Sequence, residues 1–259
     1  MTLSGEALGK PWTLPTFDGD CQVATLGLQV VVVSKRQIWA LTLPSKERRT
    51  LPPLPISPRH VLLFSRQDQI YLVVATKKEA LCGPLGGELT RLDLGRGSVE
   101  AMSTGGGRAV FLTHRGGLAR GIVGFDFAGT RVFDWKATGF STPESIALSP
   151  RGDRAFLGFR HGQLAIRSGP HEKNDSHSLG RGHELGVVRS VAWSTSGGRL
   201  AAVSKETLSV WDVDRPNEPI FHERLPPGGK GDFVGLSPSG KVVVVSRNEH
   251  HIGWSLPAR

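Results

Sequence analysis

The sequence is poor in cysteine and in aromatic residues, and each shortage excludes a class of protein. Its 259 residues include two cysteines, Cys21 and Cys82, and neither belongs to a Cys-x-x-Cys pair or a Cys/His cluster. The cysteines therefore support neither a disulfide framework nor a zinc module. One tyrosine and an aromatic content of 7% leave few rings for stacking on unpaired bases, which disfavours RNA recognition by stacking.

Long hydrophobic runs and helical periodicity are also missing. The longest apolar stretch, residues 26–33, is interrupted by Gly27 and Gln29 and is too short to span a bilayer. The first ten residues have no apolar core of signal-peptide length, so we expect a cytoplasmic protein that does not enter a membrane. No segment keeps apolar residues at helical spacing over three turns, which indicates an all-β chain.

The common motifs of catalytic and nucleotide-binding sites are absent as well. Gly228-Gly229-Lys230-Gly231 resembles a phosphate-binding loop but lacks its spacing and the hydroxyl residue that follows it. His171, His177 and His183 recur in a polar segment that contains no cysteine. We therefore expect no bound metal, no cofactor and no enzymatic activity.

A repeat of short strand patterns fills most of the chain. β-branched or aliphatic runs begin near positions 28, 70, 109, 154, 199 and 241, at intervals of about 39 to 45 residues, the period of four-stranded propeller blades. In the best-formed unit the pattern predicts strands at 187–194, 200–204, 208–213 and 220–225. The last unit contains three strand patterns, and an extra strand pattern at residues 12–17 supplies the missing fourth. We predict a single closed six-bladed β-propeller over residues 12–259, preceded by a segment over residues 1–11.

The fifth unit resembles the WD40-type β-propellers. It contains the family's order of Gly182-His183, a first strand ending in Trp193-Ser194, Gly198-Arg199 before the second strand, and Trp211-Asp212. Trp39, Ile166 and Trp254 occupy the equivalent third-strand position in units one, four and six. The resemblance implies structural roles for five residues, which would link strands within a blade by hydrogen bonds and packing. They are His183, Ser190, Ser204, Trp211 and Asp212. The family's usual turn aspartate is replaced here by Lys205-Glu206.

Each turn between a second and a third strand begins with a Lys, Arg or His residue. The chain carries a formal charge of +9, which favours acidic or polyanionic partners. In a propeller these turns emerge on one face, so the pattern predicts a cationic ring that binds partners. Its members are Lys35, Arg36, Lys77, Lys78, Arg115, Arg160, Lys205 and Arg247.

Three interpretations of this ring stay open at the level of sequence. The basic residues can be ordinary solvated strand ends that discourage edge pairing. They can bind an acidic protein surface, which makes the chain a non-catalytic scaffold or adaptor in a multi-protein complex. They can also bind a nucleic-acid backbone. A fourth and weaker hypothesis places Asp20, Glu100, Glu144 and Asp232 around a calcium ion, as in six-bladed propeller hydrolases.

Overall fold

A computed structural model describes residues 21–26, 29–42, 47–114, 120–137, 143–168, 176–179, 186–226, 232–247 and 250–257. These residues form 23 strands and no helix, so nothing in the described ranges is a helix that could cross a membrane. The strands build six small antiparallel sheets, arranged in a ring as the blades of a six-bladed β-propeller. The all-β, six-bladed prediction is confirmed.

The first three blades follow each other without exchange of strands. Blade 1 consists of β1 (Cys21–Leu26), β2 (Gln29–Ser34), β3 (Gln37–Thr42) and β4 (Glu47–Leu51). Blade 2 consists of β5 (His60–Arg66), β6 (Gln69–Ala75), β7 (Ala80–Pro84) and β8 (Thr90–Leu92). Blade 3 consists of β9 (Ser98–Gly105), β10 (Arg108–His114), β11 (Arg120–Asp126) and β12 (Arg131–Ala137).

The last three blades repeat the plan. Blade 4 consists of β13 (Pro143–Leu148), β14 (Arg154–Phe159), β15 (Leu164–Ser168) and β16 (Ser176–Leu179). Blade 5 consists of β17 (Val188–Trp193), β18 (Arg199–Ser204), β19 (Thr207–Asp212) and β20 (Phe221–Arg224). Blade 6 consists of β21 (Phe233–Leu236), β22 (Val242–Arg247) and β23 (His250–Ser255).

The first strand of each blade lies innermost. β1, β5, β9, β13, β17 and β21 contact one another in that order from blade to blade, and each pairs with the second strand of its own blade. The turns between first and second strands therefore lie on one face, which we call the a–b face. The turns between second and third strands lie on the opposite, b–c face.

The core lies between the blades. Five clusters of buried apolar side chains fill the five junctions from blade 1 to blade 6 in order. Because both faces of a blade pack against neighbours, alternate residues of a strand are buried in opposite directions, and all six residues of β18 are buried. Full burial of a Val, Leu or Phe side chain contributes about 1.5–3 kcal/mol, so these junctions hold the blades together.

The junction between blades 6 and 1 differs from the other five. The exposed large hydrophobic side chains of the described residues are Val23, Phe233 and Val244, at 56%, 60% and 38% exposure. Their neighbours Ala24, Val234 and Val243 belong to the clusters at junctions 1/2 and 5/6, so these three side chains lie on the opposite faces of their sheets, where blades 6 and 1 face each other. The strand predicted at residues 12–17 and the boundary predicted after residue 11 lie outside the described residues.

Candidate partner-binding face

The b–c turns place basic side chains in solvent on one face of the propeller. Exposed Lys or Arg side chains occupy these turns in blades 1, 2, 4 and 5. We call this set the basic rim; it consists of Lys35, Arg36, Lys77, Lys78, Arg160 and Lys205. Arg115, the predicted member from blade 3, lies outside the described residues. The rim therefore spans four blades on a common face of the fold.

Hydroxyl residues at the ends of the second strands shape these turns. Thr76 Oγ1 accepts hydrogen bonds from the backbone N–H groups of Lys78 and Glu79 at 3.1 and 3.0 Å. Ser204 Oγ accepts from the N–H groups of Glu206 and Thr207 at 3.2 and 3.1 Å. Such bonds satisfy the turn backbone locally, and the basic side chains at these two turns, Lys77, Lys78 and Lys205, are exposed.

Lys35 occupies a backbone conformation that its residue type disfavours. Its φ is +53°, at the first position of the two-residue turn that joins the paired residues Ser34 and Gln37. Gly or Asn is preferred in such a turn because a side chain at positive φ is strained. The geometry of the turn therefore does not explain why a lysine is found there.

A groove of about 530 Å³ opens on the b–c face at blade 2. Its basic lining residues are Arg59, Lys77, Lys78 and Arg91, and its acidic one is Glu79. Arg91 forms an exposed ion pair with Glu79 at 2.9 Å, which uses one positive charge and the single carboxylate. The groove therefore has an excess of positive charge, and it is concave where the rest of the rim consists of separate turns.

Arg247 is not part of the rim, and its prediction as a partner-binding residue is wrong. Its side chain is 5% exposed, and its guanidinium forms an ion pair with the 1% exposed carboxylate of Asp232 at 2.8 Å. The same guanidinium donates to the carbonyl of Ser204 at 2.8 Å and to the carbonyl of Pro226. Because a buried charge must be neutralised and hydrogen-bonded, Arg247 links blade 6 to blade 5 and is not available to a partner.

The residues that resemble the WD40 signature lie within and between blades. Ser204 organises its turn within blade 5, and Asp212 Oδ1 accepts from Arg199 Nε at 3.2 Å in the same blade. Ser190 Oγ accepts the N–H of Val234 in blade 6 at 3.3 Å, and Trp211 packs edge-on against Phe156 of blade 4. Ser190 and Trp211, which were expected to link strands within their own blade, thus also contact the neighbouring blades. His183 lies outside the described residues.

Among the described residues, the carboxylates proposed as calcium ligands do not form a metal site. Asp232 is paired with Arg247, and Glu100 accepts a hydrogen bond from the Ser98 hydroxyl at 3.2 Å. Asp20 lies outside the described residues, and within the described residues no group of three or more His, Cys, Asp or Glu side chains is arranged to hold a metal. The side-chain geometry gives the calcium hypothesis no support.

Two titratable groups have shifted pKa values with a clear physical cause. Burial raises the pKa of the Cys82 thiol to about 11, with Asp126 adding to the effect, so this cysteine is protonated and unreactive at neutral pH. Burial lowers the pKa of His60, Arg59 lowers it further, and Glu100 acts in the opposite direction. His60, next to the groove, therefore adds no positive charge to this face at neutral pH.

The a–b face contains arginines that were not singled out from the sequence. Arg108 Nη1 donates to the carbonyl of Gly152 in blade 4, and Arg199 Nη1 donates to the carbonyl of Gly240 in blade 6, both at 2.8 Å. Both arginines follow a glycine at the start of a second strand. Lys241 follows Gly240 in the same way, and Arg154 comes one residue later, after Gly152-Asp153, yet both of these side chains are exposed. The sequence pattern thus does not distinguish bridging residues from solvated ones.

A cavity of about 660 Å³ lies on the a–b face where the first strands of five blades end. The strand ends contribute Leu26, Phe64, Thr104, Leu148 and Trp193. Arg66, Arg108 and Asp126 are its charged lining residues. The cavity therefore has a mixed polar and apolar lining, with its charged groups on the side of blades 2 and 3.

These features define a six-bladed β-propeller with a basic face and, on the opposite face, a cavity. No protein-family model matches the sequence, and no curated protein matches it. The structure is similar to that of Kuenenia stuttgartiensis hydrazine synthase, with a TM-score of 0.69 and 13% sequence identity, over 92% of this chain and 83% of that one. A likeness at this identity shows the fold alone, since one fold supports many functions.

Proposed function

We propose that this propeller, which resembles the WD40 type, is a non-catalytic scaffold that binds an acidic protein surface through the basic rim. The observation that carries the proposal is the exposure of Lys35, Arg36, Lys77, Lys78, Arg160 and Lys205 on one face of the ring. A β-propeller is consistent with such a role because it presents a broad surface on a rigid frame.

The structure of the rim supports this role in two ways. Lys77 and Arg160 form no hydrogen bond or ion pair through their side chains within the described part of the chain, so their charges are available to a ligand. The groove at blade 2 adds a concave surface where an acidic side chain of a partner can be surrounded by several cations. Complementary charge speeds association and selects partners, and the attraction weakens as salt is added.

The test compares charge reversals on the two faces. The double variant Lys77→Glu with Arg160→Glu changes the b–c face, and Arg151→Glu with Lys241→Glu makes the same change in net charge at exposed positions of the a–b face. Each protein is measured against a fluorescent acidic peptide over a range of salt concentrations. We expect the first variant to bind about tenfold more weakly at low salt, with a flatter salt dependence, and the second to bind as the wild type does.

Capture of natural partners from nuclease-treated lysate then separates the protein and nucleic-acid alternatives. Proteins that are retained by the wild type and by the a–b face variant, but lost by the b–c face variant, support the proposal. Equal capture by all three proteins contradicts it. Recovery of nucleic acid in untreated lysate, with no protein retained after nuclease, would assign the rim to phosphate-backbone binding.

A further inference from the structure

The cavity on the a–b face contains an arginine whose guanidinium has no hydrogen-bonding partner in the described part of the chain. Arg66 lies across the turn glycine of the next blade, with its Cδ 3.3 Å from the position of a Cβ on Gly107. Arg108 and Arg199 lie across Gly152 and Gly240 in the same way, and both donate to the carbonyl of that glycine. Arg66 does not, which sets it apart from the two bridging arginines.

An aromatic ring holds Arg66 in place instead. The guanidinium carbon lies 3.4 Å from the centre of the Phe127 ring. Phe127 packs edge-on against Tyr71 at 6.1 Å between centroids, and Tyr71 stacks on Phe64 at 5.1 Å. A guanidinium that rests on a ring face keeps its N–H groups available in its own plane. The donors of Arg66 are thus positioned at the cavity without being used by the fold.

The charges in the cavity favour a ligand with a single negative charge. Arg66 and Arg108 contribute two positive charges and Asp126 one negative charge, so the lining has an excess of one positive charge. Arg108 donates to Gly152, and Asp126 Oδ1 accepts from the N–H groups of Ala128 and Thr130 at 3.0 and 2.8 Å. A carboxylate matches the two-pronged geometry of a guanidinium, whereas a phosphate dianion would leave a negative charge uncompensated beside Asp126.

The other lining residues and the volume of the cavity indicate what kind of molecule could carry the carboxylate. Apolar and aromatic side chains, among them Leu26, Phe64, Leu148 and Trp193, line part of the cavity, and the hydroxyl residues Ser65, Thr104 and Thr195 line another part. The volume of about 660 Å³ lies within the range of roughly 300–1,000 Å³ that is usual for small-molecule sites. We propose that this cavity binds a small monocarboxylate with an aromatic or branched aliphatic body, and that Arg66 pairs with the carboxylate. This site is separate from the basic rim.

Calorimetry and ligand-observed NMR with two matched probes test the proposal on the full chain. The probes are 4-phenylbutyrate and its uncharged amide, 4-phenylbutyramide. We expect the wild type to bind the carboxylate at least about tenfold more tightly than the amide. Equal binding of both probes, or no binding of the carboxylate at about 5 mM, would overturn the proposal, and neither result depends on a variant that must fold.

The variant Arg66→Gln then assigns the binding to the proposed residue. It keeps the side chain as far as Cδ but removes the guanidinium and its charge, and we expect it to lose about tenfold in affinity for the carboxylate and to bind the amide as the wild type does. Arg151→Gln, an exposed arginine of a neighbouring a–b turn, is the matched control and should change neither affinity. Unchanged carboxylate binding in Arg66→Gln would overturn the assignment. Tighter binding of a peptide through its free C-terminus than of 4-phenylbutyrate would overturn the choice of a small molecule.

Discussion

The junction between blades 5 and 6 and the basic rim use the same residue types for opposite purposes. At the junction, Arg199 on the a–b face and Arg247 on the b–c face each cross to the neighbouring blade and are almost fully buried. At the rim, Lys77, Arg160 and Lys205 end in solvent. Some basic residues of this chain therefore hold neighbouring blades together, and others remain available to ligands.

The largest expected effect in this comparison is at Arg247. Arg247→Ala leaves the carboxylate of Asp232 buried without its partner, and we expect the free energy of unfolding to fall by about 3–5 kcal/mol. Urea denaturation followed by circular dichroism measures it. Lys205→Ala, on the adjacent turn of blade 5, is the control and should change the free energy of unfolding by no more than about 0.5 kcal/mol. Equal midpoints for both variants would show that the buried pair does not stabilise the junction.

A smaller effect is expected where Arg199 packs on the turn of blade 6. Gly240 has a φ of +71°, and a Cβ there would lie 3.0 Å from Arg199 Cδ. Gly240→Ala therefore combines an unfavourable backbone conformation with a close contact, and should cost about 1–2 kcal/mol of stability. Gly186→Ala is the matched control, because a Cβ at Gly186 meets nothing within 4 Å. If both variants are equally stable by thermal denaturation, the contact between Arg199 and Gly240 is not a constraint.

The smallest effect concerns His60, a half-buried residue beside the rim. Its pKa is lowered from the ordinary 6.5 in the folded protein, so below that pH the unfolded chain binds a proton that the folded chain does not. Above the ordinary pKa His60 is neutral in both states, and its contribution to the free energy of unfolding is fully present. As the pH falls through the pKa of the folded protein, proton binding by the unfolded chain removes that contribution. His60→Asn should therefore show a smaller loss of stability between about pH 7 and about pH 5 than the wild type. An identical loss in both proteins, measured by urea denaturation, would contradict the shift.

Sequence periodicity was sufficient to predict the fold. Strands predicted at 200–204 and 208–213 are found at Arg199–Ser204 and Thr207–Asp212, because hydrophobic runs and turn residues are local signals that repeat in every blade. The exposure of the rim was also predictable in part. Each b–c turn has its basic residue at a strand end, and the tip of a hairpin usually lies in solvent.

The exception to that pattern could not be predicted. Ser246-Arg247 has the same local sequence character as Ser204-Lys205, yet Arg247 is buried and Lys205 is exposed. The difference arises because Asp232 and the carbonyls of Ser204 and Pro226 meet Arg247 only after blades 5 and 6 have packed. The roles of Arg108 and Arg199 escaped prediction for the same reason, since their acceptors lie in the next blade, more than 40 residues along the chain.

The amino-acid sequence by itself determined the number of blades, the order of strands within them and the placement of a basic residue at each b–c turn, because these depend on hydrogen bonding and patterning between neighbours in the chain. The packing of one blade against the next decided which of those charges is buried, which arginine bridges to a glycine carbonyl, and where Arg66 lies in a cavity built from five strand ends. Burial and partner geometry depend on residues that are distant in sequence, and they exist only once the ring has assembled.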